Sequence, residues 1–209
     1  MTETRARRLF RACGVAPLGA FVLLHVLGYC QVLLGRRSFG DPNALRVKSW
    51  ELVLELLLVL LPLAYHGLYG LVLLFRARDT ATPARPLLDR LQRWTSPLVL
   101  LFVVDHFARF RWPILSGELA SSDAHALLVR ELSANTLGLP LVAAFQLLGI
   151  AAVAFHLAYG VYHFGWSRLP WLAEPTRRTW LALLVGLLVL VPASFAVIGL
   201  ATGKKLPFL

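Results

Sequence analysis

Apolar residues along this chain come in long unbroken runs, not in the short alternations of a soluble protein. Five such runs approach the roughly 20 residues that a membrane-spanning helix needs. The pattern predicts span I over about 13–34, span II over 50–75, span III over 94–112, span IV over 139–165 and span V over 180–202. Span III is the least apolar, because it carries Asp105, His106 and Arg109. Pro62 and Pro192 fall inside spans II and V, where neighbouring helices can satisfy the freed carbonyls. Trp50, Trp94, Trp112, Trp166, Trp171 and Trp180 all lie near run ends, as an interfacial aromatic belt requires. A mixed loop over 113–138 has room for a short surface helix over 123–132. The expected fold is an all-α integral membrane protein with a single membrane domain over 1–209. Four of its five helices are expected to form a bundle.

Composition agrees with the pattern. The chain is 58% hydrophobic and only 15% charged over 209 residues. Its formal net charge of +10 is spread over all the loops, without the aromatic–basic patch that nucleic-acid binding uses. Lys and Arg number twelve on one side of the five-span arrangement and nine on the other. The positive-inside rule then sets the N-terminus inside and the C-terminus outside. Arg5, Arg7, Arg8 and Arg11 precede a run too long for a signal-peptide core, so the first run is expected to be a retained span. Cys13 and Cys30 both fall in span I, about 25 Å apart along a helix, and cannot pair with each other. Without a Cys-x-x-Cys-His motif or a cysteine cluster, the chain has no means for c-type haem attachment or an iron–sulfur centre.

The chemistry lies in histidines within the runs. An ionisable ring at membrane depth is costly, so it normally has a partner or a role. His25, His66, His106 and His156 each stand in the later part of spans I to IV. Because successive spans run in opposite directions, this sorts them into two levels. His25 and His106 lie toward the outside, His66 and His156 toward the inside. Two facing neutral imidazoles per level is the donor set of bis-histidine haem ligation. A four-histidine divalent metal site would instead need all four at one depth. Gly28, Gly70 and Gly160 follow His25, His66 and His156 by three or four residues and share their helix faces. A glycine there leaves room for a macrocycle. A single intramembrane histidine often serves only as a helix-bridging hydrogen-bond partner; four sorted into two levels favour the dihaem arrangement.

Other charged positions carry alternatives. Glu55 precedes His66 by eleven residues, which at α-helical pitch leaves it about 20° off the His66 direction and about 16 Å further out. It reads as a proton acceptor facing the helix-bundle interior or as an interfacial carboxylate paired with a loop arginine such as Arg46. Asp105 and Arg109 are spaced to pair along span III. Arg90 and Arg93, at the inner end of span III, read as haem-propionate partners or as ordinary positive-inside charge, the latter preferred for Arg90. His163 reads as an inner-haem propionate partner or as an ordinary interfacial histidine, and His125 as a solvated loop residue.

These residues also resemble a known family. The segments are Gly14-Val15-Ala16-Pro17-Leu18-Gly19 leading to His25, Glu55 with Leu61 through Gly70 around His66, Leu91-Gln92-Arg93 leading to His106, and Phe155-His156-Leu157 with Gly160. They are similar to the single-polypeptide, five-helix dihaem cytochrome b that anchors succinate dehydrogenase and fumarate reductase. The resemblance implies two b haems, ligated by His25 with His106 and by His66 with His156. It implies flavoprotein and iron–sulfur partner subunits, electron transfer to a quinone, usually menaquinone, and a place in the cytoplasmic membrane. It does not extend to the glutamate that some members carry two residues before the fourth histidine; Ala154 stands there. Asp41, Glu51 and Glu55 are the candidates for the family's acidic quinone-site residue. The competing functions are a dihaem cytochrome b of another respiratory enzyme, such as a nitrate reductase or hydrogenase, and a haem-free helical transporter or scaffold.

Overall fold

A computed structural model describes residues 5–33, 49–76, 86–120, 123–164 and 170–203. Asp41, Arg46 and Trp166 lie outside these residues, as do nine of the 21 Lys and Arg used to orient the chain. Within them the chain is all-helical apart from turns and one isolated bridge between Thr136 and Leu139.

The helices are α1 (Arg5–Val15), α2 (Pro17–Leu33), α3 (Ser49–Glu55), α4 (Leu61–Arg76), α5 (Pro86–His106), α6 (Trp112–Leu115), α7 (Ala124–Ser133), α8 (Leu141–His163) and α9 (Pro175–Thr202). A π-helical turn over Leu56–Leu60 joins α3 to α4, and another over Phe107–Arg111 joins α5 to α6. Each π turn ends just before a proline, Pro62 or Pro113. A proline in an α-helix collides with the carbonyl four residues back. Inserting one extra residue there shifts that carbonyl away. Around Pro97, inside α5, the hydroxyls of Thr95 and Ser96 donate to carbonyls one turn back, at Leu91 (2.9 Å) and Gln92 (2.7 Å). The helix α9 ends at Gly203, whose positive φ of 64° lets its N–H close on the Gly199 carbonyl at 2.9 Å.

Four helical stretches are long and apolar enough to cross a membrane: Arg5–Gly28, Leu52–Arg76, Leu141–His163 and Pro175–Thr202. The first expected span therefore starts earlier than position 13, and the fifth earlier than 180. The helix through α5 and α6 is not among them. Its apolar middle, Trp94–Val104, covers only about 16 Å before Asp105, with Asp89, Arg90 and Arg93 ahead of it. The surface helix in the 113–138 loop is α7, and it packs Leu127, Leu128 and Leu132 onto the bundle.

The interior holds small residues where helices approach. Gly186 of α9 faces the Ala154 carbonyl and Ala158 of α8. Gly149 of α8 lies against the Phe102 ring so closely that a Cβ there would collide with it. Backbones brought this close are the means by which helices associate in lipid. Large apolar side chains such as Leu24, Leu68, Phe75 and Leu184 are exposed around the outside. That is the inverse of a soluble protein and suits a lipid-facing surface.

Candidate functional site

The four span histidines come together as two pairs. The rings of His66 (α4) and His156 (α8) are 6.2 Å apart between centroids and edge to face at 90°. Those of His25 (α2) and His106 (the end of α5) are 5.9 Å apart at 81°. These are the pairs expected from depth along alternating helices.

Around the first pair, α1 supplies most of the setting. The Phe10 ring stacks on His66 at 4.3 Å, nearly parallel. His66 Nδ1 donates to the Phe10 carbonyl at 3.0 Å. That carbonyl leaves the proton on Nδ1 and the lone pair on Nε2. The Tyr65 hydroxyl ties the same helix to the Ala6 carbonyl at 3.0 Å. Gly14 closes the contact: a Cβ there would stand 2.5 Å from His66 Cε1. On the other ring, Gln92 Nε2 lies 3.0 Å from His156 Nδ1, and Gln92 Oε1 is buried with no partner among the described residues. One turn from each, Tyr159 donates to Asp89.

The second pair is held by charge. His106 Nδ1 donates to Gln146 Oε1 at 3.0 Å, and Gln146 Nε2 donates to Asp105 at 3.1 Å. Asp105 in turn accepts from Arg109 at 2.8 Å, and Arg109 reaches Glu131 of α7 at 3.4 Å. The Asp105–Arg109 pair is thus part of a chain of contacts ending on a histidine, not an isolated surface pair. Phe21 stacks on His25 at 5.2 Å, while Phe102 and Phe110 flank His106 at 5.5 and 5.1 Å.

The remaining candidates fall as follows. A Cβ at Gly28 would meet nothing within 4 Å, while Gly70 and Gly160 face Phe10 and Val15 at ordinary contact distance. Arg93 is half-buried beside Gln92. His163 is exposed and packs on Tyr159 (4.4 Å) and Tyr162 (4.9 Å). His125 is exposed on α7. Glu55 makes a two-pronged ion pair with Arg111, Nε to Oε1 at 2.9 Å and a second contact through the terminal nitrogen. The π turn between Glu55 and His66 adds about one residue to the helix and so changes the expected phase by about 100°. The estimate of about 20° for an unbroken α-helix therefore does not hold, and Glu55 meets the end of the next helix instead.

Sequence reasoning missed Phe10, Gly14, Gln92 and Gln146 as partners of the histidines. Gln146 had a signal, as a primary amide inside an otherwise apolar run. Phe10 had none, because an aromatic residue at the edge of the first run is unremarkable and its hydrogen bond comes from the backbone carbonyl. Among the described residues, no three His, Cys, Asp or Glu side chains cluster as a metal site.

No family model matches the chain, and no solved structure does. A curated relative does: the succinate dehydrogenase cytochrome b558 subunit of Bacillus subtilis (strain 168) is 28% identical over 162 residues, 76% of each chain. The chain's similarity to a succinate dehydrogenase cytochrome b subunit thus extends over three-quarters of its length.

Proposed function

We propose that this chain is the membrane anchor and electron-transfer subunit of a succinate:quinone oxidoreductase. It joins flavoprotein and iron–sulfur subunits to a quinone such as menaquinone, and holds two b haems within five spans, α5 with α6 being the third. The cytoplasmic membrane holds it with the N-terminus inside. The observation that carries this reading is the pair of facing histidine pairs. An imidazole nitrogen lies about 2.0 Å from a first-row metal and about 1.1 Å from its ring centre, so two rings across one ion have centres about 6 Å apart. The separations of 5.9 and 6.2 Å are in keeping with that requirement.

The donor chemistry fits too. His66 and His106 have Nδ1 engaged as a donor, which leaves Nε2 free to ligate. For His156 to ligate through Nε2, Gln92 must present its carbonyl oxygen to Nδ1. That oxygen is the atom buried with no partner among the described residues, and turning the amide over exchanges it with Nε2. When bound, each haem supplies a one-electron redox centre. The chain's residues orient the rings and keep bulk water away from them. Gly28 borders open space, as room for a macrocycle requires, with Gly70 and Gly160 assigned the same role. Arg93 and His163 are assigned to the acidic edge of the inner cofactor. Glu55, held by Arg111, is assigned to proton transfer on the quinone side.

A reduced-minus-oxidised spectrum with a pyridine haemochrome assay tests the reading; no b-type band would end it. His66→Ala and His156→Ala are expected to remove one and the same haem signal, and His25→Ala and His106→Ala the other. A common loss in His25→Ala and His66→Ala would contradict the pairing. Glu55→Gln is expected to keep both haems and to slow quinone reduction, roughly 10²- to 10⁴-fold if it is the proton carrier. Normal turnover would leave Glu55 a structural ion-pair partner.

A further inference from the structure

We infer that Gln146, held in one sense by Asp105, is the positioning residue that sets the proton and the donor strength of His106. The inference rests on the haem reading above and names residues which that reading does not use.

Gln146 is 2% exposed, on the α8 face that meets α5. Both ends of its amide are engaged, Oε1 by His106 Nδ1 and Nε2 by Asp105. The second contact decides the first. An amide turned the other way would set its oxygen against the Asp105 carboxylate and its N–H groups against Nδ1–H. Asp105 thereby selects the sense in which Gln146 accepts from His106. His106 must then carry its proton on Nδ1 and offer Nε2 as the ligand. Arg109 and Glu131 hold Asp105 in place from the far side. The other glutamine–histidine contact lacks this lock, since Gln92 Oε1 has no partner among the described residues. The two pairs therefore differ in outer partners although their ligands are alike.

The electronic consequence has a definite sign. A hydrogen bond from Nδ1–H to an acceptor makes an imidazole a stronger donor, and a carboxylate behind the acceptor adds to this. A stronger donor favours the oxidised, more positively charged iron and lowers its potential. Removing the amide should raise the potential of one haem and leave the other unchanged.

The test is potentiometry with electron paramagnetic resonance on membranes holding the full chain with its partner subunits. In Gln146→Met, the midpoint that rises should be the one belonging to the signal lost in His25→Ala. In Asp105→Asn the same midpoint should rise by less, since the amide contact remains and only the charge is gone. A tenfold change in relative affinity for the two oxidation states reads as about 59 mV. Two unmoved midpoints with both signals intact would overturn the inference while leaving the haem reading standing. So would a shift confined to the His66–His156 haem. If Gln146→Met does not accumulate, Asp105→Asn decides alone, and an unmoved midpoint there overturns the inference. A wild-type chain without b-type signals overturns both.

Discussion

At the residue scale, the histidines are controlled by what stands behind them. His66 is gripped by the ring and carbonyl of Phe10 and by the missing side chain of Gly14. Gly14→Ala is expected to push the His66 ring aside, because overpacking of this kind costs about 1–3 kcal/mol. Haem content per chain should fall toward half, with the His66–His156 signal lost. Leu184→Ala, on the exposed outer face of α9, supplies the control. Equal haem content in the two variants would show that Gly14 is not needed for the site. The four histidines were legible in the sequence because each interrupts an apolar run. Their pairing was legible because depth follows from alternating helix direction. The supporting residues were not, since a backbone carbonyl leaves no trace in side-chain chemistry and the phase of Gln146 toward His106 depends on how α5 and α8 cross.

At the element scale, the helices were legible and their internal breaks were not. Hydrophobic runs give the positions of α2, α8, α9 and the stretch from α3 through α4 to within a few residues, because a run must match the bilayer. They say little about α1, which joins the first span as a basic, amphipathic start, or about the two π turns. Pro62 and Pro113 were the available signals, but a proline alone does not say whether a helix kinks or takes in an extra residue. The π turn at Leu56–Leu60 sets Glu55 toward Arg111. Deleting Leu58 is expected to restore plain α-helix and turn Glu55 about 100° away from Arg111. The half-buried pair contributes roughly 1–3 kcal/mol, between exposed and fully buried cases. Thermal melts of the haem signal check this in a cycle with Arg111→Ala. Arg111→Ala should destabilise the parent chain and add little in the deletion background; a full additive loss would show that the π turn does not hold the pair.

At the scale of the whole molecule, each histidine pair is assembled from segments far apart in sequence. His66 and His156 need Phe10 from α1 and Gln92 from α5. His25 and His106 need Gln146 from α8. The helix α8 thus serves both pairs, while α9 packs against α8 from outside. This arrangement has a consequence in time. Synthesis runs from the N-terminus, so three of the four histidines leave the ribosome before either setting can close. His25 and His106 can meet earlier but are unsupported until Gln146 emerges, and His66 waits longer still, for His156. If the two pairs hold the proposed haems, loading is expected to fall late, onto a nearly finished chain. A chain stopped after Ser133 should insert and yet show neither b-type signal. A full-strength signal from that fragment would mean that the outer pair takes up its cofactor while the rest of the protein is still being made.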